Sequence, residues 1–442
     1  MTSSFLSIVC YLWIIISGVI AYSGTAGAAT IDDISQEEAA EDLLTSNLIA
    51  WMKTNGAFIS DKIEIQRFQP PGVDYKIRGV FAKEDLAKDE MILEVPWSLI
   101  VQPSPEDDEY DDCSTMVNIF LDMKDDEGTP YGKYLKAQPR NYIRKFWSIE
   151  GQQLLRDMMG PLGPDYTPSD TSNFWRKRCG KRYNDKIFGA SAKTTTDDLL
   201  LHAAMITLAR ADDYLMVPFY DMFNHRNGDR WYNAAHVMEE GSSQGLAAKR
   251  TVKRGEQLFL SYNQCNICGG RIHWHGTADM LDDYGFVEPF PQRYYDEDLR
   301  LKFDIDQIDE ENGTKLTVKW GAPPSEAGAV FLREQLQRLE QMEGMKHEAN
   351  ADSLKVPMNE SNKVWELHSA FIMALRAALD SLKGWTLTDI VDSIPNWDEY
   401  QYTFDEDGNL VSILDQDGSI MSSVTYLDEY TYESESEEHD EF

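Results

Sequence analysis

The sequence has few cysteines and few basic residues for its length. Only 5 of its 442 residues are cysteine, which excludes a small disulfide-stapled scaffold. Lys and Arg total 41 against 76 Asp and Glu, a formal net charge of −35. Because contact with a phosphate backbone needs a basic face, this balance argues against nucleic acid as a partner. The length and the 42% hydrophobic content are sufficient for two or three domains with their own cores.

Two flanks lack basic residues altogether. Residues 30–52 carry six acidic residues and residues 396–442 carry fifteen, in both cases without Lys or Arg. Residues 1–29 have no charged side chain, which leaves a net charge of −14 for residues 49–395. Runs of like charge are typical of solvated segments. We therefore interpret residues 29–48 as an acidic linker and residues 396–442 as an acidic tail.

The tail contains more than charge. Two D-x-D-G sequences, at 405–408 and 415–418, separate short apolar runs, which predicts short β hairpins. A calcium loop is the alternative, but a twelve-residue EF loop needs a further ligand, and position 416 is Gln.

The first 28 residues have the features of a secretory leader. Residues 5–22 are almost wholly apolar, and Ala26-Gly27-Ala28 matches the small-residue pattern of a cleavage site. No Lys or Arg precedes the apolar run, and about 18 residues would just span a bilayer if the segment stayed uncleaved. The sequence predicts a signal peptide and the secretory pathway, either the endoplasmic reticulum or secretion, with an N-terminal membrane anchor as the alternative.

Cleavage of the leader would leave four cysteines, Cys113, Cys179, Cys265 and Cys268. An even number in an oxidising compartment permits two bridges, but their pairing stays open. The run from Cys265 to His275 combines C-x-x-C with two histidines. A zinc site is one interpretation of this run. We expect a local disulfide or free thiols instead, and no metal.

Apolar periodicity predicts an α+β protein. Strand-like segments concentrate at residues 75–100, where an Arg78-Gly79 turn precedes a strand, and at residues 215–290. The stretch of about 100–214 between them is mainly helical. Residues 291–395 predict a hairpin followed by amphipathic helices. The expected domains are 49–290, split by the helical insert, and a mainly helical C-terminal lobe at 291–395.

Four short motifs then occur in a fixed order. The order is Arg78–Ala82, then Asp221-x-x-Asn224-His225, then Gly255–Tyr262, then Tyr284-Gly285-Phe286. Each motif is weak alone, but the combination resembles the SET-domain protein methyltransferases, and within them the Rubisco large-subunit lysine methyltransferase-like class. Residue 77 is Ile where the family usually has glycine, and Cys265–His275 replaces the usual Asn and Leu-rich helix.

The resemblance implies a fold and a set of roles. It implies a β-rich SET domain split by a helical insert, with a C-terminal lobe that helps to hold a protein substrate. Tyr262 and Tyr284 would be catalytic at a lysine channel. The cofactor S-adenosyl-L-methionine would be bound by a larger set, consisting of Arg78, Gly79, Val80, Asn224, His225, Tyr262 and Phe286. Arg210 and Asp221, together with Tyr284, would position the substrate peptide; a local salt bridge is the alternative for the first two.

The functional prediction is S-adenosylmethionine-dependent methylation of lysine in a protein. Methyl transfer to an amine needs alignment and oxygen acceptors around the methyl group, and Tyr hydroxyls suit this because they add no full charge. The acidic body favours a Lys-rich protein target by long-range steering. The alternatives are a catalytically silent SET-fold protein-binding module and a protein-histidine methyltransferase.

Overall fold

The computed structural model describes most of the chain. The described residues are 31–69, 76–104, 112–138, 143–162, 179, 198–212, 214–239, 242–265, 270–271, 275–310, 313–321, 324–343, 356–383, 401–404, 410–414 and 420–423. The chain divides into two units, Met1–Asn47 and Leu48–Phe442. The first contains most of helix α1 (Ile31–Thr54), which continues into the second. The predicted leader lies outside the described residues.

Two four-stranded sheets form the β-rich part of the second unit. Their strands are β1 (Phe58–Ile59), β2 (Ile63–Phe68), β3 (Ile77–Ala82), β4 (Met91–Pro96), β5 (Asn224–His225), β6 (Ala234–Glu239), β7 (Ser243–Ala248) and β8 (Gln257–Leu260). One sheet has the order β1-β4-β7-β6 and the other β2-β3-β8-β5. Val80, Leu93, Leu246 and Leu258 have no exposed surface and belong to one hydrophobic core.

A mainly helical insert separates β4 from β5, as the sequence predicts. It contains α2 (Asp112–Lys124), α3 (Pro130–Lys136), α4 (Ile149–Met159) and α5 (Asp198–Arg210). Helix α3 begins after Thr129, whose side chain accepts the Gly132 N–H, and Pro130 fits its first turn because that position needs no amide hydrogen. A disulfide joins Cys113 of α2 to Cys179, with both residues nearly buried.

A second core lies C-terminal to the β-rich part. Short strands β9 (Gln264–Cys265) and β10 (Gly270–Arg271) and helix α6 (Thr277–Tyr284) lead into β11 (Gln292–Asp296), β12 (Leu301–Glu310) and β13 (Gly313–Trp320). Helices α7 (Glu326–Glu343) and α8 (Met358–Ser381) follow. Strands β11, β12 and β13 form an antiparallel sheet, and Phe303, Leu339 and Phe371 are packed in one buried cluster. The predicted hairpin and helices are confirmed, and β11 is an additional strand.

The tail contains a separate three-stranded sheet. Strands β14 (Gln401–Phe404), β15 (Leu410–Leu414) and β16 (Ile420–Ser423) are antiparallel in that order. Both D-x-D-G sequences, which carry the hairpin prediction, lie outside the described residues, as do residues 424–442.

The prediction of a turn at Arg78-Gly79 is wrong. Both residues lie inside β3, where Arg78 is paired with Arg67 and Gly79 with Gln66 of β2. Pairing with a neighbouring strand holds a glycine in extended conformation, which local sequence does not reveal. Within the part of the chain that the structure describes, none of the helices combines the length and the apolarity that a membrane span requires.

Candidate active site

The sheet β2-β3-β8-β5 brings three distant segments together. Strand β3 pairs antiparallel with β8, placing Val80 opposite Leu258. Strand β5 pairs parallel with the other edge of β8, placing His225 opposite Leu260. Tyr262 follows directly after β8. The motif residues of β3, β5 and the end of β8 therefore share one end of a single sheet.

A side chain links the two outer segments across this sheet. The Asn224 amide donates from Nδ2 to the backbone oxygen of Arg78 at 2.7 Å. Gly79 leaves room for this bond, since a Cβ there would lie 2.9 Å from Asn224 Nδ2 and closer still to Gln257 Nε2. A side chain at position 79 would therefore displace Asn224 or Gln257.

Four rings form a cluster beside this link. The ring of Tyr262 lies 5.1 Å from that of His225 and 5.0 Å from that of Tyr284, measured between centroids. The Phe286 ring is 6.2 Å from Tyr262 and 6.0 Å from His225. Tyr284 ends helix α6, and Gly285 follows with a φ of 77°, a left-handed conformation that glycine adopts without strain. This turn directs the chain back so that Tyr284 and Phe286 both join the cluster.

The two tyrosines are held by backbone carbonyls. Tyr262 Oη donates to the Phe223 oxygen at 2.7 Å, and Tyr284 Oη donates to the Tyr262 oxygen at 3.0 Å. Burial raises the pKa of Tyr262 well above its usual range, and the Asp221 carboxylate adds to this while Arg210 opposes it. Tyr262 is therefore a neutral phenol at physiological pH. Each hydroxyl donates its one hydrogen to a backbone carbonyl. Toward a further partner each phenol oxygen can therefore act only as a hydrogen-bond acceptor.

A buried ion pair lies on the insert side of the cluster. Arg210, at the end of α5, donates to Asp221 Oδ2 at 2.7 Å, and the Asp221 side chain is only 1% exposed. Tyr134 of α3 donates to the same oxygen at 3.0 Å. The Arg78 guanidinium lies 5.5 Å from the centre of the Tyr134 ring. The salt bridge that the sequence left open for Arg210 and Asp221 is thus present, and their contact with a substrate peptide stays a prediction.

Several buried polar atoms near the ion pair or beside Gly79 have no hydrogen-bond partner among the described residues. They include Asp221 Oδ1, the Tyr131 hydroxyl and Gln257 Nε2. Buried polar groups are usually paired, and a bound ligand is one way to satisfy those that are not. A carboxylate oxygen and a hydroxyl fit a ligand that carries positive charge or N–H donors.

The structure brings the predicted site residues together in two adjoining groups, the ring cluster and the buried Arg210–Asp221 ion pair. The cluster group contains His225, Tyr262, Tyr284 and Phe286, and Asn224 links it to Arg78 and Gly79. Val80 is different, because its side chain has no exposed surface and belongs to the hydrophobic core. Only its backbone is available to a ligand, so its predicted cofactor contact stays a prediction restricted to main-chain atoms.

Sequence reasoning missed several polar residues of this region. The sequence pattern does not single out Tyr134, which donates to Asp221, or Asn227 and Glu288, which are buried beside His225. The available signals were the Asn two residues after His225 and the Glu two residues after Phe286. Neither signal specifies a contact without the tertiary structure.

The cysteine and histidine run gives no metal centre that the structure describes. Among the described residues, no group of three or more His, Cys, Asp or Glu is arranged to hold a metal ion. Cys268 and His273 lie outside those residues, whereas His275 Nε2 is 3.3 Å from Asp283 Oδ2.

Comparison with known proteins gives a family match and several related sequences. The SET domain family profile matches residues 77–263. The chain is 27% identical over 279 residues to the Rubisco large-subunit N-methyltransferase of Nicotiana tabacum, covering 56% of this chain and 52% of that protein. It is 23% identical over 310 residues to the fructose-bisphosphate aldolase-lysine N-methyltransferase of Arabidopsis thaliana, covering 64% and 59%. The chain thus spans between half and three fifths of the length of these relatives.

Solved structures align over most of the chain at low identity. A crystal structure of the SET domain of LSMT bound to lysine and AdoHcy has a TM-score of 0.44 and 16% identity, covering 79% of this chain and 98% of that one. Rubisco LSMT bound to AdoMet has a TM-score of 0.44 and 17% identity, covering 79% and 99%. The family profile thus identifies a SET domain at residues 77–263, and the chain is similar to N-methyltransferases over a little more than half of its length.

Proposed function

We propose that this protein is an S-adenosylmethionine-dependent protein-lysine N-methyltransferase. The observation that carries the proposal is the ring cluster, in which the phenol ring of Tyr262 lies between those of His225 and Tyr284 at one end of the sheet. Curated relatives named as lysine methyltransferases support the same reaction.

The described residues fit the cofactor. Asn224, His225 and the backbone of Arg78 and Gly79 would hold it, because they meet at the end of β3, β8 and β5. When bound, the cofactor supplies an electrophilic methyl group on a sulfonium. The unpartnered Asp221 Oδ1 could accept an N–H hydrogen bond from a ligand nearby.

The tyrosines would align the amine. The hydroxyl hydrogens of Tyr262 and Tyr284 are donated to backbone carbonyls, so toward an amine their oxygens would act as acceptors. A phenol oxygen in this state accepts an N–H hydrogen bond from a neutral amine and orients its lone pair. The Arg210–Asp221 pair has no net charge, so it fixes the wall of the site without adding a full positive charge beside the amine.

The test is radiolabelled methyl transfer from the cofactor to protein lysate. Tyr262→Phe removes the hydroxyl at the centre of the cluster and should reduce transfer by at least tenfold. Tyr294→Phe is the matched control, because Tyr294 is a buried phenol that donates one hydrogen bond, to Gln292, in the second core. Equal transfer by Tyr262→Phe and the wild-type protein would contradict the role of Tyr262.

Product analysis separates the alternatives. Mass mapping of the labelled substrate identifies the methylated residue, which is lysine for the proposed reaction and histidine for a protein-histidine methyltransferase. Cofactor binding in calorimetry without methyl transfer to any substrate would instead identify a silent SET-fold binding module.

The substrate part of the proposal is a Lys-rich protein held partly by residues 291–395. An open groove of 1070 Å³ lies between β13 and α8 in this region. Charged side chains of both signs line it, including Lys315, Glu343 and Arg376. The net charge of −14 on residues 49–395 favours the approach of a basic partner.

We further propose the secretory pathway as the compartment, with an N-terminal membrane anchor as the alternative form. The apolar leader supports this, and so does the Cys113–Cys179 disulfide, since such bonds persist mainly in oxidising compartments. A C-terminal tag would report the location, and N-terminal sequencing would find a start near Ala29 if the leader is cleaved. A cytosolic protein with intact residues 1–28 would contradict the proposal.

A further inference from the structure

A fully buried carboxylate lies behind the ring cluster. Glu288 belongs to the segment between α6 and β11, and its side chain and that of His225 are both 0% exposed. Glu288 Oε2 lies 3.2 Å from His225 Nε2 and 2.9 Å from Asn227 Nδ2. The residue follows the end of the SET domain match at position 263, so it belongs to a part of the chain that the match does not cover.

The hydrogen bonds of His225 define which ring nitrogen carries the proton. The backbone N–H of Tyr262 donates to His225 Nδ1 at 3.0 Å. Nδ1 is therefore the acceptor nitrogen, and the one hydrogen of the neutral ring is on Nε2. Asn227 Nδ2 also lies 3.0 Å from Nε2, and with a hydrogen on Nε2 this amide donates to Glu288 Oε2 instead. The His225 Nε2–H points at Glu288 Oε2. A proton on Nδ1 would face the Tyr262 N–H and break this bond.

The donors around Glu288 also define its own charge state. Oε2 faces the hydrogens of His225 Nε2 and Asn227 Nδ2. Oε1 accepts from the Thr277 hydroxyl at 2.8 Å and from the Arg293 backbone N–H at 3.3 Å. A protonated carboxyl would place a fifth hydrogen among four donors. Glu288 is therefore an ionised carboxylate whose two oxygens are both satisfied.

We propose that Glu288 is a positioning residue for the active site, one that holds His225 as the neutral Nε2–H tautomer. Through His225 Nδ1 it fixes the backbone of Tyr262, whose phenol is at the centre of the ring cluster. The consequence for catalysis rests on the proposed methyltransferase function, whereas the tautomer of His225 does not.

Replacing the carboxylate by an amide should disturb this chain of contacts. In Glu288→Gln, the amide hydrogens would face a hydrogen of His225, Asn227 or Thr277, because only one oxygen remains to accept. His225 then loses the acceptor that favours Nε2–H, and its Nδ1–H form becomes populated at the expense of the bond to Tyr262.

The first measurement uses the wild-type protein and needs no activity. Two-bond ¹H–¹⁵N correlation spectra of histidine-labelled protein distinguish the two neutral tautomers and the imidazolium. The His225 signal among the 8 histidines is the one lost in His225→Gln. We expect the Nε2–H form; an Nδ1–H ring or an imidazolium at pH 7.5 would overturn the proposal.

The second measurement compares Glu288→Gln with Glu360→Gln. Glu360 is also a buried carboxylate, 5% exposed, and it accepts from the Ser148 N–H at 3.0 Å at the start of α4. We expect Glu288→Gln to populate the Nδ1–H form and to weaken S-adenosylmethionine binding in calorimetry by at least tenfold, while Glu360→Gln leaves both unchanged. An unchanged tautomer and affinity in Glu288→Gln would overturn the proposal. Absent cofactor binding by the wild-type protein would contradict the proposed function alone, because the tautomer comparison still decides the role of Glu288.

Discussion

The Asn224 side chain donates a hydrogen bond to the backbone oxygen of Arg78, joining residues that are 146 positions apart in the chain. This bond crosses the edge of the sheet at which β3, β8 and β5 meet. It is therefore part of the connection between the first and second motifs of the SET domain, and it makes the shape of the candidate site depend on one side-chain amide.

Asn224→Ala should remove this connection. The Arg78 oxygen would lose its partner in a half-buried position, so we expect the free energy of unfolding in urea to fall by about 1 kcal/mol and cofactor affinity to fall with it. The control is Asn55→Ala, which removes an exposed amide that donates to the Trp51 oxygen at 2.8 Å. Equal losses of cofactor affinity in the two variants would contradict the role of Asn224.

Gly79→Ala tests the close packing beside that bond. The added Cβ would lie within 3 Å of both Asn224 Nδ2 and Gln257 Nε2. We expect the unfolding free energy to fall by about 1–3 kcal/mol, with weaker cofactor binding. Gly328→Ala serves as control, since the nearest atom to its added Cβ is 3.4 Å away and it lies in helix α7. A Gly79→Ala protein that behaves like the Gly328→Ala protein would show that the site tolerates a side chain there.

The disulfide should stabilise the helical insert strongly. Cys113 and Cys179 are separated by 66 residues, and closing a loop of that size in the unfolded chain corresponds to about 4 kcal/mol in the chain-entropy treatment. We expect Cys113→Ser to lower the unfolding free energy by about this amount under oxidising conditions. The wild-type protein unfolded with a reductant should match the variant. If both cysteines of the wild-type protein react with an alkylating reagent after denaturation without reductant, the disulfide is absent and the prediction is contradicted.

Buried tyrosines should make the fold sensitive to alkali. Burial raises the pKa of a group of seven, consisting of Tyr131, Tyr134, Tyr220, Tyr232, Tyr262, Tyr294 and Tyr295. In the unfolded chain a tyrosine ionises near pH ~10. The folded state therefore binds more protons than the unfolded state above this pH, and the stability that is present below it is lost as the pH rises further.

The measurement is stability in urea from pH 7 to 11, with tyrosinate absorbance recorded in parallel. We expect no tyrosine-linked change in stability between pH 7 and 9 and a steep loss above ~10. The buried group should ionise only as the protein unfolds. Ionisation of all 21 tyrosines before unfolding would contradict this expectation.

Salt should weaken the recognition of a basic substrate. The acidic body attracts a Lys-rich peptide over distances that salt screens, with a Debye length of about 30 Å at 0.01 M and about 10 Å at 0.1 M. For such a peptide we expect KM to rise with ionic strength and kcat to stay nearly constant. A peptide with acidic residues flanking the same lysine is the control and should show the opposite trend in KM. Parallel trends would contradict steering.

Much of the fold follows from local sequence. The amphipathic pattern of residues 364–382 and the alternation at residues 63 and 65 predicted α8 and β2, because helix and strand periods depend on near neighbours. The hairpin of β12 and β13 followed from its turn residues. The turn at Arg78-Gly79 failed for the opposite reason, since β2 supplies the hydrogen bonds that extend this segment.

Some features of the candidate site follow from the sequence, and others depend on tertiary contacts. The order of the four motifs is visible in the sequence, and this order singles out Asn224, His225, Tyr262 and the Tyr284–Phe286 turn. The sequence also determined the charge distribution, because net charge and its segments need no coordinates. It did not determine that Arg210 and Asp221 are paired, or which cysteines are joined.

The hydrogen-bond partners of the buried polar groups follow only from tertiary contacts. Glu288 accepts hydrogen bonds from residues that are 5 to 63 positions away, and it has this role because burial removes water and leaves these donors as its partners. No spacing in the sequence encodes such a meeting of loops. The tautomer of His225 follows from these contacts, since the hydrogen of a neutral imidazole lies on the ring nitrogen that faces a hydrogen-bond acceptor.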